Sequence, residues 1–210
     1  MNMPVIRHIR RYMERSFDSM KCMPSDLFSE VIIIEPDIFH DARGYFLETF
    51  TTSKYREMGI TERFVQDNLS FSGKGTLRGL HYQLERPQGK LIYAVHGEIF
   101  DVIVDIRKGS PSFGKWQGIT LSSDNHRQVY IPGGFAHGFS VVSEKACVAY
   151  KCTDYYDPLT EHGIIWNDPA ISIDWPVSDP VLSDKDRSYP KLGELSGNDL
   201  PVYQSKRIEQ

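Results

Sequence analysis

The sequence predicts an all-β protein, a sandwich or closed barrel of short strands. Short runs rich in Val, Ile, Phe, Tyr and Thr recur from Val31 onward, and Gly, Pro and Asp clusters separate them at fairly regular intervals. One run, EIFDVIVDIR, alternates with period two: Phe100, Val102, Val104 and Ile106 share one wholly apolar face, and Asp101, Ile103 and Asp105 share the other.

In chain order, the runs VIIIEP, GYFLETF, KLIYAV, GEIFDVIVDI, GITLS, RQVYIP, GFSVVS and ACVAYKCT read as strands, with GKG, KGSPSFG and PGG as turns between them. Two segments read as helical. TTSKYREMG has a threonine pair at its start and Gly59 at its end, the residue types that cap helices. The polar, Pro-punctuated chain after Leu182 reads as short helix and loop with little part in the core. Before the strands, Arg7, Arg10, Arg11 and Arg15 recur at helical spacing, which suggests a surface helix or arm. The organisation expected is an N-terminal extension over residues 1–26, one domain over 27–192 and a tail over 193–210.

With 40% hydrophobic and 12% aromatic residues in 210, the chain can bury a sizeable core. A net charge of −4 supplies no global basic field, so nucleic acid is not an expected partner. No apolar run approaches the roughly 18 residues of a membrane span. Cys22, Cys147 and Cys152 are an odd number without CxxC spacing, which argues against a disulfide framework or zinc site and fits a reducing cytoplasm.

Chemistry-bearing residues gather in a few strings. TLRGLHYQ places Arg78 and His81 around a glycine at the start of a β region. QGKLIY puts Lys90 in an otherwise apolar strand, where a lysine is costly to bury unless it points into a polar pocket. PGGFAHGF supplies His137, ACVAYKCTDYY supplies Tyr150, Tyr155 and Tyr156, and LSDKD supplies Lys185 and Asp186. Taken singly, each has a structural explanation: a hydrogen-bonded core histidine, a rim tyrosine or a solvated lysine.

Pattern goes further. PGGFAHG has the P-x-G-x-x-H spacing of the second signature motif of cupins, small barrels of the jelly-roll type. Metal-binding cupins supply H-x-H in their first motif. Here that place reads His81-Tyr82-Gln83, one imidazole short of the converging ligand set that zinc, iron or manganese needs. The strings DARGYFLETF, FVQDN, TLRGLHYQ, QGKL, GEIFDVIVDIR, IPGGFAHGF, YKCTDYYDP, IIWND and LSDKD, in this order, resemble the dTDP-4-dehydrorhamnose 3,5-epimerase family from Val31 to about Lys191.

The resemblance implies a cupin-like jelly-roll barrel with short C-terminal helices and an N-terminal extension. It also implies acid–base chemistry with no cofactor and no metal. The family's base falls on His81, its orienting carboxylate on Asp186, its general acid on Tyr150, and the lysine beside the substrate carbonyl on Lys90. Sugar-nucleotide contacts fall on Arg43, Glu48, Gln66, Asn68, Arg78, His137, Glu161 and Lys185, with Tyr156 stacking on thymine. The family further implies a homodimer whose N-terminal β segments cross between subunits, so that Arg43 and Glu48 serve the neighbour's site. The chemistry suits the residues: protons alpha to a C4 carbonyl are acidic enough for a histidine base, and a nearby cation stabilises the enolate oxygen. Three alternatives stay open at this point. They are a 3- or 5-epimerase or ketoisomerase on a related sugar, a non-catalytic sugar-nucleotide binder, and a metal-dependent cupin.

Overall fold

A computed structural model describes residues 20–204. The Arg-rich stretch read as a helix or arm lies outside the described residues, except for its end. There, Lys21–Pro24 forms β1 and pairs antiparallel with β2 (Ile32–Glu35). A hairpin follows, β3 (Ile38–Asp41) with β4 (Gly44–Leu47), turning at Gly44, which has φ +126°. Helix α1 spans Thr52–Glu57. Thr51 sits at its N-cap position without a side-chain capping bond, so the threonine pair marks the helix start without capping it; Gly59 ends the turn at φ +89°.

The remaining strands are β5 (Gln66–Gly73), β6 (Leu77–Gln83), β7 (Lys90–His96), β8 (Glu98–Asp105), β9 (Trp116–Ser122), β10 (Gln128–Ile131), β11 (Phe135–Val141), β12 (Lys145–Cys152) and β13 (Glu161–Gly163). They form two antiparallel sheets. One has the order β1-β2-β10-β7-β12-β5 and the other β13-β6-β11-β8-β9. The fold is the all-β cupin-like jelly roll expected from the sequence, with α2 (Asp184–Ser188) and a 3₁₀ turn at Leu192–Glu194 near its C-terminal end.

Between the sheets, Ile92, Val148, Ile99, Ile103, Val129 and Phe139 pack with Phe28 and Val31 into a buried cluster. Burial of such side chains stabilises by about 1.5–3 kcal/mol each. The wholly apolar face of β8 looks the other way. Phe100, Val102, Val104 and Ile106 join Leu80, Ile164, Ile171, Trp175 and Leu192 beneath the C-terminal segment. β8 is therefore buried on both faces. The chain after Leu182 is irregular as expected, yet Leu192 and Leu200 are buried in this second cluster. β1 before residue 27 and Leu200 after residue 192 both pack on the fold. Among the described residues, no helix is long and apolar enough to cross a membrane.

Candidate active site

A cavity of about 460 Å³ opens between the two sheets. One wall belongs to β6. In a regular strand Arg78 and His81, three apart, would point to opposite faces. They share one face because the β6–β11 register shifts: His137 pairs with His81 and Phe139 with Arg78, so a two-residue step on β11 opposes a three-residue step on β6. Gly79 makes this possible. It sits at φ +124°, and a Cβ there would lie 2.6 Å from the Gly138 Cα.

His81 Nε2 lies 2.5 Å from Asp186 Oδ1. The Ser183 hydroxyl donates to Asp186 Oδ2 (2.8 Å) and accepts from the Asp186 amide (3.1 Å), so the start of α2 fixes the carboxylate. Burial alone would raise the Asp186 pKa, but the His81 hydrogen bond and charge and the Ser183 bond outweigh it and hold the carboxyl below its ordinary value. A carboxylate at Nε2 favours the tautomer with its proton on that nitrogen; Nδ1 lies 3.9 Å from Glu161 Oε1. The Tyr189 ring meets His81 edge-on at 5.6 Å.

The opposite sheet supplies Tyr150 and Lys90. On β12 Tyr150 pairs with Asn68 of β5 and Ile92 of β7, and Cys152 pairs with Gln66 and Lys90; both rows abut the cavity. Burial pushes the Tyr150 phenol up, and burial pulls the Lys90 ammonium down. Lys90 does point into a polar pocket, as its place in an apolar strand requires.

His137 faces the same cavity and is bonded through Nε2 to Asp101 Oδ2 at 2.7 Å. Asp101 is fully buried, and it went unrecognised in the sequence. Its signal is an acidic residue inside the β8 alternation at a position where a carboxylate needs a partner. Burial moves Asp101 up and His137 down, each opposed by the other.

At the mouth, Arg78 donates to the Ser72 hydroxyl. Glu161 Oε2 accepts from the Tyr156 hydroxyl (2.8 Å) and from Lys185. Burial would raise the Glu161 pKa; Lys185, Tyr156 and His81 together hold it below the usual range. Gln66 Oε1 accepts from the Tyr156 amide (2.9 Å), and Gln66 Nε2 donates to Asn68. His81, Tyr150, Asp186, Lys90, Gln66, Asn68, Arg78, His137, Tyr156, Glu161 and Lys185 thus converge. Arg43 and Glu48 do not line this cavity. Arg43 sits at the β3–β4 turn with its side chain 90% exposed and its guanidinium on Asp41, and Glu48 pairs with Lys54 at 2.9 Å.

His81 on one sheet, bonded to Asp186 of α2, faces Tyr150 and Lys90 on the other, and this arrangement in a cupin-like jelly roll is suited to acid–base chemistry. The family profile described as dTDP-4-dehydrorhamnose 3,5-epimerase matches residues 27–194. A dTDP-4-dehydrorhamnose 3,5-epimerase from Methanothermobacter thermautotrophicus is 53% identical over 82% of this chain and 92% of its own length. One from Shigella flexneri is 55% identical over 78% of this chain and 91% of its own. The crystal structure of a dTDP-6-deoxy-D-glucose-3,5-epimerase from Legionella pneumophila in complex with dTDP-4-keto-L-rhamnose superposes with TM-score 0.86 at 52% identity. It covers 89% of this chain and all of that one. A 3'-monoepimerase from Streptomyces bikiniensis, in complex with dTDP-quinovose, reaches TM-score 0.81 at 32% identity over 86% of this chain and 93% of its own. The chain belongs to the dTDP-4-dehydrorhamnose 3,5-epimerase family.

Proposed function

We propose that the protein epimerises C3 and C5 of dTDP-4-dehydro-6-deoxy-D-glucose to dTDP-4-dehydro-L-rhamnose, supplying dTDP-L-rhamnose for surface polysaccharide in the cytoplasm. The observation that carries this is the placement of His81 and Tyr150 on opposite sheets across one cavity, with Lys90 beside them. His81 Nδ1 removes the proton alpha to the C4 carbonyl, and the Asp186 carboxylate at Nε2 stabilises the imidazolium. Negative charge collects on the C4 oxygen, where the Lys90 ammonium offsets it. Tyr150 returns a proton to the opposite face of the ring, which inverts the carbon. The residues need no hydride carrier and no metal for these steps. Arg78 and Lys185 suit a diphosphate, and the half-exposed Tyr156 suits a stacked base.

The test is solvent deuterium exchange on the 4-keto sugar nucleotide, followed by proton NMR. Label is expected at both C3 and C5. Label at one carbon only would make the protein a single-position epimerase like its Streptomyces bikiniensis relative.

The proposed working unit is a homodimer with shared sites. Arg43 lies outside the cavity of its own chain, and Tyr45 and Phe46 of the same hairpin are exposed. On the edge strand β5, Leu69 is 69% and Phe71 62% exposed on the outward face, an apolar edge that a second subunit would cover. Mixing inactive Arg43→Ala and His81→Ala chains should recover roughly a quarter of wild-type activity, because random dimers place both lesions in one site and leave the other intact. No recovery after subunit exchange overturns the sharing.

A further inference from the structure

Three glutamine side chains from three places in the fold converge on the loop that carries Tyr156. Gln83, at the end of β6, donates through Nε2 to the carbonyls of Arg86 (3.0 Å) and Tyr155 (3.2 Å), and its Oε1 accepts from the Asp157 amide (2.9 Å). Gln88 donates to the Asp154 carbonyl at 2.7 Å. Gln66 accepts from the Tyr156 amide at 2.9 Å. The loop itself is exposed: Tyr155, Tyr156 and Leu159 all project outward. Left alone, such a segment would sample many conformations. Gln83 is buried, with one donor and its oxygen committed to the loop and its other donor bond going to the Arg86 carbonyl, so its amide is occupied by the protein's own backbone.

We propose that Gln83 and Gln88 are positioning residues for nucleotide recognition, which hold residues 154–157 so that the Tyr156 ring is preset as a platform for a base. This rests on the reading of Tyr156 as the base-stacking residue. The loop's ordering is supplied before the ligand arrives, and the binding free energy is not spent on it. The position two residues after His81 thereby serves the nucleotide end of the site, at a distance from the reacting carbons.

The experiment measures dTDP affinity by calorimetry for wild type, Gln83→Ala, Tyr156→Ala and the double variant. Amide hydrogen exchange at Tyr156 and Asp157 is followed in parallel. Gln83→Ala should weaken dTDP roughly 5- to 30-fold. It should speed exchange at both amides, and it should add little once Tyr156 is already alanine. In turnover the loss should fall on KM, with kcat kept within about twofold. Gln88→Ala, which removes one bond at the rim, should show a smaller change in the same direction, and it keeps the idea testable if Gln83→Ala folds poorly. Unchanged amide exchange, or fully additive losses in the double variant, overturns the clamp. If Tyr156→Ala binds dTDP as wild type does, the stacking reading fails instead, while faster exchange in Gln83→Ala would still establish the clamp.

Discussion

At the scale of single residues, the site depends on which nitrogen of His81 carries a proton. Asp186 at 2.5 Å from Nε2 favours the tautomer with its proton there. In Asp186→Asn, an amide that donates to Nε2 would drive the proton onto Nδ1, the atom proposed to accept one, and would remove the charge proposed to stabilise the imidazolium. Steady-state assays should show kcat/KM lower by on the order of 10²–10⁴ with KM little changed. A loss confined to KM would assign Asp186 to binding. The residues of this dyad, and Tyr150 and Lys90 across from it, were legible because each lies in an uninterrupted, ordered string of family residues. Asp101 was not, because alternation alone labels it as a polar position and only the folded packing brings it against His137. Gln83 and Gln88 were equally silent, since their partners are backbone atoms far along the chain.

At the scale of elements, the shift in β6 decides whether the site exists. Gly79→Ala puts a side chain at φ +124° and 2.6 Å from the Gly138 backbone of the adjoining strand, so β6 must straighten or β6 and β11 must part. Either outcome turns Arg78 or His81 off the shared face. Gly79→Ala should therefore lose stability by about 1–3 kcal/mol in urea titrations and lose activity beyond the fraction unfolded. Activity that merely tracks the folded fraction would show that the shift is dispensable. Strands with apolar alternation, such as β8, were readable from sequence. β5 was not, although it lines the cavity: its inward positions are Gln66, Asn68 and Ser70, and its outward ones include Leu69 and Phe71. A strand that spends its inner face on a polar site inverts the pattern by which strands are recognised. β13, three residues long, is too short to carry a period at all.

At the scale of the whole molecule, acid stability follows from carboxylates held below their ordinary values. Burial would raise Glu30, Asp105, Glu161 and Asp186, but bonds to Arg107, Ser110, Ser112, Lys185, Tyr156, His81 and Ser183 outweigh it in each case. A depressed folded value contributes stability that is complete above the unfolded value near about 4 and is lost as pH falls through the folded one. In the Asp101–His137 pair burial shifts the two members in opposite senses, so their contributions to the slope oppose one another. Urea midpoints should hold from pH 7 to about 5 and fall steeply below about 4, with Asp105→Asn flattening part of that limb. A midpoint unchanged between pH 5 and 3 would contradict this. The placement of His81 and Tyr150 on different sheets has one more result. The apolar residues between the sheets, among them Ile103 and Val148, act as gauge blocks that set the width of the gap a sugar ring has to fit. On the proposed mechanism, core volume in this protein is consequently a kinetic parameter as well as a packing one.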